Sequence, residues 1–303
     1  MEQDTKRIFK NTIYLYIRQF IIMALSFFTT RIVLEKLGAS DYGVNNVVGG
    51  FVSMFTVLNS ILQTGTRRFL SLNLGKGENT LIKDTFSTAF VIHLIIGLVV
   101  VLLLETIGFQ FLNSRLNIAP ERIYAANWVF QFSVITVFLN ITQTPYMAAV
   151  TSHENFSIYA LMSIFDTIAK IAILFLLIFI PGDKLIVYSA LLFTISFINI
   201  TIYRFYCISH FSECKFSLHV NKHLLREMLQ FSSWSVIANV FSVANNQGVS
   251  ILLNIFFSTL VNAARGLANT VTFTISQFVN GFIIAAEPQL VKYYGAGDKE
   301  HFE

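Results

Sequence analysis

Charge is what this sequence has least of. Asp, Glu, Lys and Arg make up 13% of its 303 residues, about half the share found in soluble globular domains. Hydrophobic residues reach 54% and the mean hydropathy is +0.64. A chain this long and this poor in charge reads as an integral membrane protein. The longest gap follows Glu227, after which no ionic residue recurs until Arg265. That stretch exceeds the ~20 residues a helix needs to cross hydrocarbon. Cysteine is nearly absent too. Cys207 and Cys214 fall in one polar connection and make no metal spacing, and a disulfide is not expected if that connection is cytoplasmic. Trp is rare (2) beside 31 Phe, which fits lipid-facing packing better than a catalytic centre. A nucleotide loop, a metal cluster and a nucleophile–base pair are all missing. Gly75-x-Gly and Gly295-x-Gly are too short for a phosphate loop and sit where helices stop. No enzyme and no cofactor is expected. The net charge of +4 does not indicate nucleic acid, because the charges sit in short clusters between apolar stretches.

What is present is a series of apolar segments. Eight spans are expected, near 11–34, 42–72, 84–112, 122–151, 155–180, 185–207, 224–256 and 259–294. The breaks between them carry helix punctuation: Leu37-Gly38-Ala39-Ser40-Asp41, Gly75-Lys76-Gly77-Glu78, Asn117 to Pro120, Ser152-His153-Glu154, Pro181-Gly182-Asp183 and Gly295-Ala296-Gly297-Asp298. The start MEQDTKRIFKN does not resemble a removable signal, since acidic residues precede the basic ones and no small-residue cleavage site follows. With the N-terminus inside, the inner connections hold 13 Lys and Arg and the outer ones 5. That bias predicts a cytoplasmic N-terminus. Arg67 and Arg68 read as orientation anchors, and Glu287 as interfacial beside a helix-ending Pro288. His93, alone in the third span with Glu105, reads as hydrogen-bonded within the bundle.

The chain also repeats weakly. A shift of 220 places Asn11–Glu78 over Phe231–Asp298, bringing Tyr14 over Trp234, Ile17 over Ile237 and the Gly75 stop over the Gly295 stop. An even number of spans separates the copies, so both start on one face, a parallel repeat about an axis along the membrane normal. The expected organisation is an all-α membrane protein. A six-helix bundle covers 1–208, a cytoplasmic linker 209–223, and the first two helices of a second, incomplete bundle 224–303.

Arg31 with Leu37-Gly38-Ala39-Ser40-Asp41-Tyr42-Gly43, then Arg67-Arg68-Phe69-Leu70-Ser71 and Gly75-Lys76-Gly77, resembles the start of the oligosaccharide flippases. These are polysaccharide-biosynthesis exporters of the multidrug/oligosaccharidyl-lipid/polysaccharide (MOP) superfamily. Val261-Asn262-Ala263-Ala264-Arg265-Gly266-Leu267-Ala268-Asn269, running into Pro288-Gln289-Leu290-Val291-Lys292, is similar to their eighth span. The resemblance is diffuse and covers the whole chain. It implies a MATE-like fold of two six-helix bundles rocking about a central cavity. The implied cargo is a lipid-linked oligosaccharide attached through phosphate or pyrophosphate, moved across the bacterial inner membrane for surface polysaccharide such as lipopolysaccharide. Membrane lipid and other glycan-assembly membrane proteins are the implied partners. The length implies that most of the second bundle is missing, so the chain reads as a truncated product or a fragment.

Moving such a cargo needs a wet cavity and cations to hold phosphate. Ser235, Asn239, Ser242 and Asn246 recur on one side of the seventh span, and Arg265, Asn269, Thr272 and Ser276 on the eighth. Asn46 and Ser53 mark the second span and Asn140 the fourth. Such stripes either line a cavity or join helices, since small and polar residues also mediate membrane packing. Arg18, Arg31, Lys170 and Arg265 are the candidate cavity cations. Snorkelling to the membrane surface is the alternative for Arg18, Arg31 and Arg265. Asp166, four residues before Lys170, offers an intrahelical ion pair instead. A cation-coupled drug exporter of the same superfamily would use a deep carboxylate, and Asp166 is the one available. A non-transporting membrane subunit is the third reading.

Overall fold

Gly38 sets the first bend. In the computed structural model, which describes residues 2–53, 55–114, 116, 118–215, 217, 219–234 and 259–298, α1 runs Glu2–Ser53 with a kink at Gly38. Gly38 has φ 78 and ψ 165, a conformation that an L side chain disfavours. The chain therefore turns back there, and the residues after it form a separate arm of α1. The break falls within the expected 37–41 turn. The expected 42–72 span, however, is two pieces. Phe55 N bonds Val52 O, and α2 starts afresh over Thr56–Lys76. Gly49 and Gly50 just before this point are poor helix formers.

The remaining elements follow in order. Helix α3 (Asn79–Leu103) passes through a π-helical turn (Leu104–Gly108) into α4 (Phe109–Ser114). A 3₁₀ turn (Pro120–Arg122) leads into α5 (Ile123–Ser152). Then come α6 (Phe156–Phe179), α7 (Lys184–His210) and a 3₁₀ turn at Ser212–Cys214. Helix α8 is described over 222–234, and α9 runs Thr259–Ala296. Every regular element among the described residues is helical. Among the described residues, four segments are long and apolar enough to cross a membrane: Asn79–Ser114, Pro120–Ser152, Phe156–Leu177 and Lys184–His210. Pro288 lies inside α9, two turns before its end, and does not terminate it as expected.

Helix α5 is the pillar. Ala126, Phe130, Val134, Val137 and Ile141 recur at steps of three and four and, with Val129, are all buried. They meet Val44, Val48 and Val52 of α1, spaced four apart on one face. Against lipid, burial of such residues adds little transfer energy, so close packing holds the seam. The outward faces are correspondingly greasy. Phe179, Phe205, Leu102 and Ile107 are largely exposed, as expected of side chains that belong in lipid.

Polar caps fix the two ends of the bundle. On the face opposite the N-terminus, Arg122 donates to Asp41 of α1 at 2.6 Å and to Asp183 before α7 at 2.6 Å. Asp183 also caps α7 by accepting from Leu185 N and Ile186 N. On the N-terminal face the 209–223 linker is docked. Its Glu213 is buried and paired with His153. Burial pushes the Glu213 carboxyl up, but the His153 hydrogen bond, a backbone hydrogen bond and the charges of His153 and Lys83 together outweigh it, leaving it below its ordinary value. Asn221 caps the helix after the linker through His223 N and Leu224 N and bonds Thr88 of α3. Cys207 lies in the last turn of α7, outside the expected connection. Both cysteines are free and buried.

Helices α2 and α9 close the N-terminal face with a two-fold relation that matches the 220-residue shift. A Cβ on Gly75 would collide with the carbonyl of Lys292, and one on Gly295 with the carbonyl of Leu72. These four residues form two pairs, each 220 apart. Both helices end alike, on Gly77 with φ 73 and Gly297 with φ 72. Gly77 N bonds Leu74 O, and Gly297 N bonds Tyr294 O. The pair Arg67–Glu287 bridges the same seam, again 220 apart. Arg67 is therefore a buried ion-pair partner, with 7% of its side chain exposed, and not a surface anchor. Glu287 is drawn in from the interface by the same contact.

Candidate functional site

Four polar residues on α6 organise the site. Ser163, Asp166, Thr167 and Lys170 follow the i, i+3, i+4, i+7 rule, so one face of an otherwise apolar helix is hydrophilic. The hydroxyls of Ser163 and Thr167 donate back to Tyr159 O and Ser163 O, which satisfies them within the helix. Lys170 Nζ meets Asp166 Oδ2 at 2.6 Å. Facing them, α7 carries Ser189, Ser196, Asn199 and Tyr203 at steps of seven, three and four.

Between these helices, α1 and α5 lie two adjoining cavities. The first, of about 390 Å³, is walled by Arg18, Asn140, Gln143, Asp166, Lys170 and Asn199, among others. The second, of about 400 Å³, is walled by Asn45, Ser133, Thr136, Asn140, Lys170 and Ser196, with Gly49 and Phe132. Asn140, Lys170 and Ser196 belong to both, so they form the partition. Lys170 keeps 40% of its side chain exposed despite its pairing.

Arg18 enters the first cavity from α1. Its guanidinium lies 4.8 Å from the Tyr159 ring centroid, a cation–π contact. Its Nε has no hydrogen-bond partner among the described residues. A buried donor left unmade costs about 1–3 kcal/mol, so this group is primed for an acceptor. Among the described residues, two cations and one carboxylate face the first cavity. The chamber thus carries net positive charge amid neutral hydrogen-bonding groups. That suits an anion carrying hydroxyl-rich substituents.

The sequence candidates distribute unevenly. Arg18, Asn140, Asp166 and Lys170 come together. Arg31 is exposed and lines neither cavity. Thirteen residues separate it from Arg18, about 220° around a helix at 100° per residue, so it looks the other way. Asn46 and Ser53 lie on α1, and Arg265, Asn269 and Thr272 on α9, but their side chains fall outside the described residues. Ser276 is exposed on α9. Ser235, Asn239, Ser242 and Asn246 lie wholly outside the described residues.

Sequence reasoning missed the α7 wall and most of the α6 stripe, although both periodicities stand in the sequence. It also missed Arg204, counted as a connection cation. Arg204 turns into the bundle, donating to Gln143 at 3.0 Å and Thr142 at 2.7 Å with Tyr146 beneath it. His93 is buried in α3 with Nδ1 2.7 Å from Ala89 O, and Glu105 accepts from Gln131. Both act within the bundle, away from the cavities.

Comparison with known proteins adds the family. A sequence profile described as "Polysaccharide biosynthesis protein" matches residues 8–293. No curated protein matches the sequence. Among solved structures, a MATE transporter in the straight conformation superposes with TM-score 0.79 at 11% identity, over 99% of this chain and 67% of that one. A MOP superfamily transporter from Pyrococcus furiosus gives 0.75 at 12%, over 97% and 66%. An outward-facing multidrug-resistance MATE transporter gives 0.70 at 15%, over 97% and 66%. These likenesses establish the fold. The chain spans about two thirds of the length of those transporters.

Proposed function

Since the chain belongs to the polysaccharide biosynthesis protein family and is a multi-pass membrane protein of MOP fold, we propose that it serves as a flippase for a lipid-linked oligosaccharide. The cargo would be an anionic, polyprenyl phosphate-linked glycan, crossing a bacterial inner membrane by alternating access. Under this reading the N-terminal face is cytoplasmic, 1–208 forms one six-helix bundle, and 224–303 begins a second.

The observation that carries the proposal is the net-positive cavity of Arg18 and Lys170. Phosphate would displace Asp166 from Lys170 and take the unmade Arg18 donor. Asn140, Asn199 and Ser196 offer hydrogen bonds to sugar hydroxyls. The lipid tail would stay in the bilayer, beside the apolar outer faces. Arg265, Asn269 and Thr272, with the Ser235–Asn246 stripe, would supply the facing wall. Other glycan-assembly membrane proteins would deliver or receive the cargo.

The test is translocation of a lipid-linked oligosaccharide in reconstituted vesicles. Arg18→Gln and Lys170→Gln should each slow it roughly tenfold, the effect of losing one charge-assisted hydrogen bond of ~1.5–3 kcal/mol in part. Wild-type rates in both variants, at equal protein level, would remove the proposal.

A drug exporter is the second reading, favoured by Asp166 and by the multidrug-resistance transporter among the similar folds. Among the described residues, Asp166 is the one carboxylate walling either cavity. Cation-dependent drug efflux abolished by Asp166→Asn would support it. Intact glycan translocation in the same variant would argue against it.

A further inference from the structure

The turn between α5 and α6 contains the one non-glycine residue with positive φ among the described residues, Glu154 at φ 58. Its backbone makes the closing bonds of a helix end. Glu154 N bonds Thr151 O at 2.9 Å, and Asn155 N bonds Val150 O at 3.0 Å. Helices α2 and α9 place Gly77 and Gly297 at the corresponding position. A glutamate there carries a left-handed strain that glycine would not. Ending α5 does not call for that residue type.

Its side chain supplies the reason. The Glu154 carboxylate is buried, with 2% of the side chain exposed. Oε1 accepts from Lys292 Nζ of α9 at 2.7 Å. Oε2 lies 2.9 Å from Arg7 Nε of α1, a charge contact without the alignment of a hydrogen bond. One carboxylate thus joins three elements that lie far apart in sequence. Lys292 is doubly engaged, since its own carbonyl packs against Gly75 of α2. Five residues before it, Glu287 pairs with Arg67 along the same seam. Glu154 walls neither cavity.

We propose that Glu154 is a charged latch that holds the N-terminal face closed by clamping α9 to the α5–α6 turn. This rests on the alternating-access reading above, in which that face must open once per cycle. A buried carboxylate has two acceptable states. It is either paired with its cations or fully hydrated, because the dry and unpaired condition between them is costly. The latch therefore switches and does not stretch, which is the behaviour a gate between two bundles needs. Arg7, half exposed, remains on α1 and can stay near the carboxylate when α9 departs. The energetic burden of opening then falls on Lys292 and on the neighbouring Arg67–Glu287 pair.

The experiment measures distances between spin labels in the full chain reconstituted in lipid vesicles. Labels at Leu161→Cys on α6 and Leu290→Cys on α9 use exposed positions on the helices either side of the latch, with Cys207 and Cys214 replaced by Ser. Glu154→Gly keeps the turn and relieves its strain while removing the latch. Lys292→Met removes the latch without touching the turn. Both should raise the longer-distance population by about fivefold or more, the factor for ~1 kcal/mol of lost pairing. The exchange Glu154→Lys with Lys292→Glu should return it toward wild type. Unchanged distances in both single variants would overturn the latch. So would opening in Glu154→Gly alone, which would assign the effect to the turn. The distances are read without cargo, so absence of glycan translocation in wild type would sink the flippase reading and leave the latch standing on its own result.

Discussion

Removing either partner of the Arg67–Glu287 pair should not be equivalent. Arg67 has 7% of its side chain exposed and Glu287 has 25%. Arg67 Nε also lacks a hydrogen-bond partner, so Glu287 is its principal compensation among the described groups. Glu287→Gln leaves a buried, uncompensated guanidinium, for which about 3 kcal/mol of destabilisation is appropriate. Arg67→Gln leaves a carboxylate that a quarter-exposed site can hydrate. The cost there falls to about 1–2 kcal/mol after allowance for solvent screening. The double variant buries no lone charge and should cost less than the two singles together, with a coupling of about 1–2 kcal/mol. At roughly 2–4 °C per kcal/mol for a chain of this order of size, Glu287→Gln should lower the midpoint in detergent by several degrees more than Arg67→Gln. Thermal unfolding of all four proteins in one detergent gives the cycle. Equal losses from the two singles, or strict additivity in the double, would refute the buried-pair account.

Two further outcomes follow from the geometry. Gly75→Ala and Gly295→Ala each put a Cβ into a facing carbonyl and should cost about 1–3 kcal/mol by overpacking. Gly43→Ala, with nothing within 4 Å of its Cβ, should be neutral or slightly stabilising in the same melting assay, and equal behaviour of the three would deny the close α2–α9 approach. Asp183 offers a pH test: the Arg122 hydrogen bond, opposed by burial and helped by the Ile186 and Leu185 amides, holds its carboxyl below the ordinary value. A depressed carboxylate contributes stability above its unfolded pKa of ~3.9, and that contribution disappears as pH falls through the lower folded value. Midpoints measured downward from pH 6 should therefore drop at the acid end in wild type, and less steeply in Asp183→Asn.

Much of the fold was legible because membrane helices must satisfy their own backbone and face lipid with apolar residues. The ends of α5, α6 and α7 fall within a few residues of the expected spans, set by Pro120, Asn155, Gly182 and Asp183. The repeat was legible too, because Gly77 and Gly297 end their helices by the same left-handed turn. The interruption at Phe55 was not, since nothing in the local alternation of Val, Gly and Phe marks a turn there. Nor could sequence tell Arg18 from Arg31. Both are arginines on one apolar helix, and only the packing of α1 on α6 points one inward.

Composition and periodicity therefore determined that the chain is helical, membrane-embedded and internally repeated, because those properties arise from local backbone chemistry and from the solvent each face requires. Which charges meet was decided by the tertiary structure alone. Glu154 with Lys292, Arg67 with Glu287, and Arg18 in one chamber with Lys170 are partners brought together from distant parts of the chain. Their roles depend on burial and distance, which one-dimensional spacing does not encode.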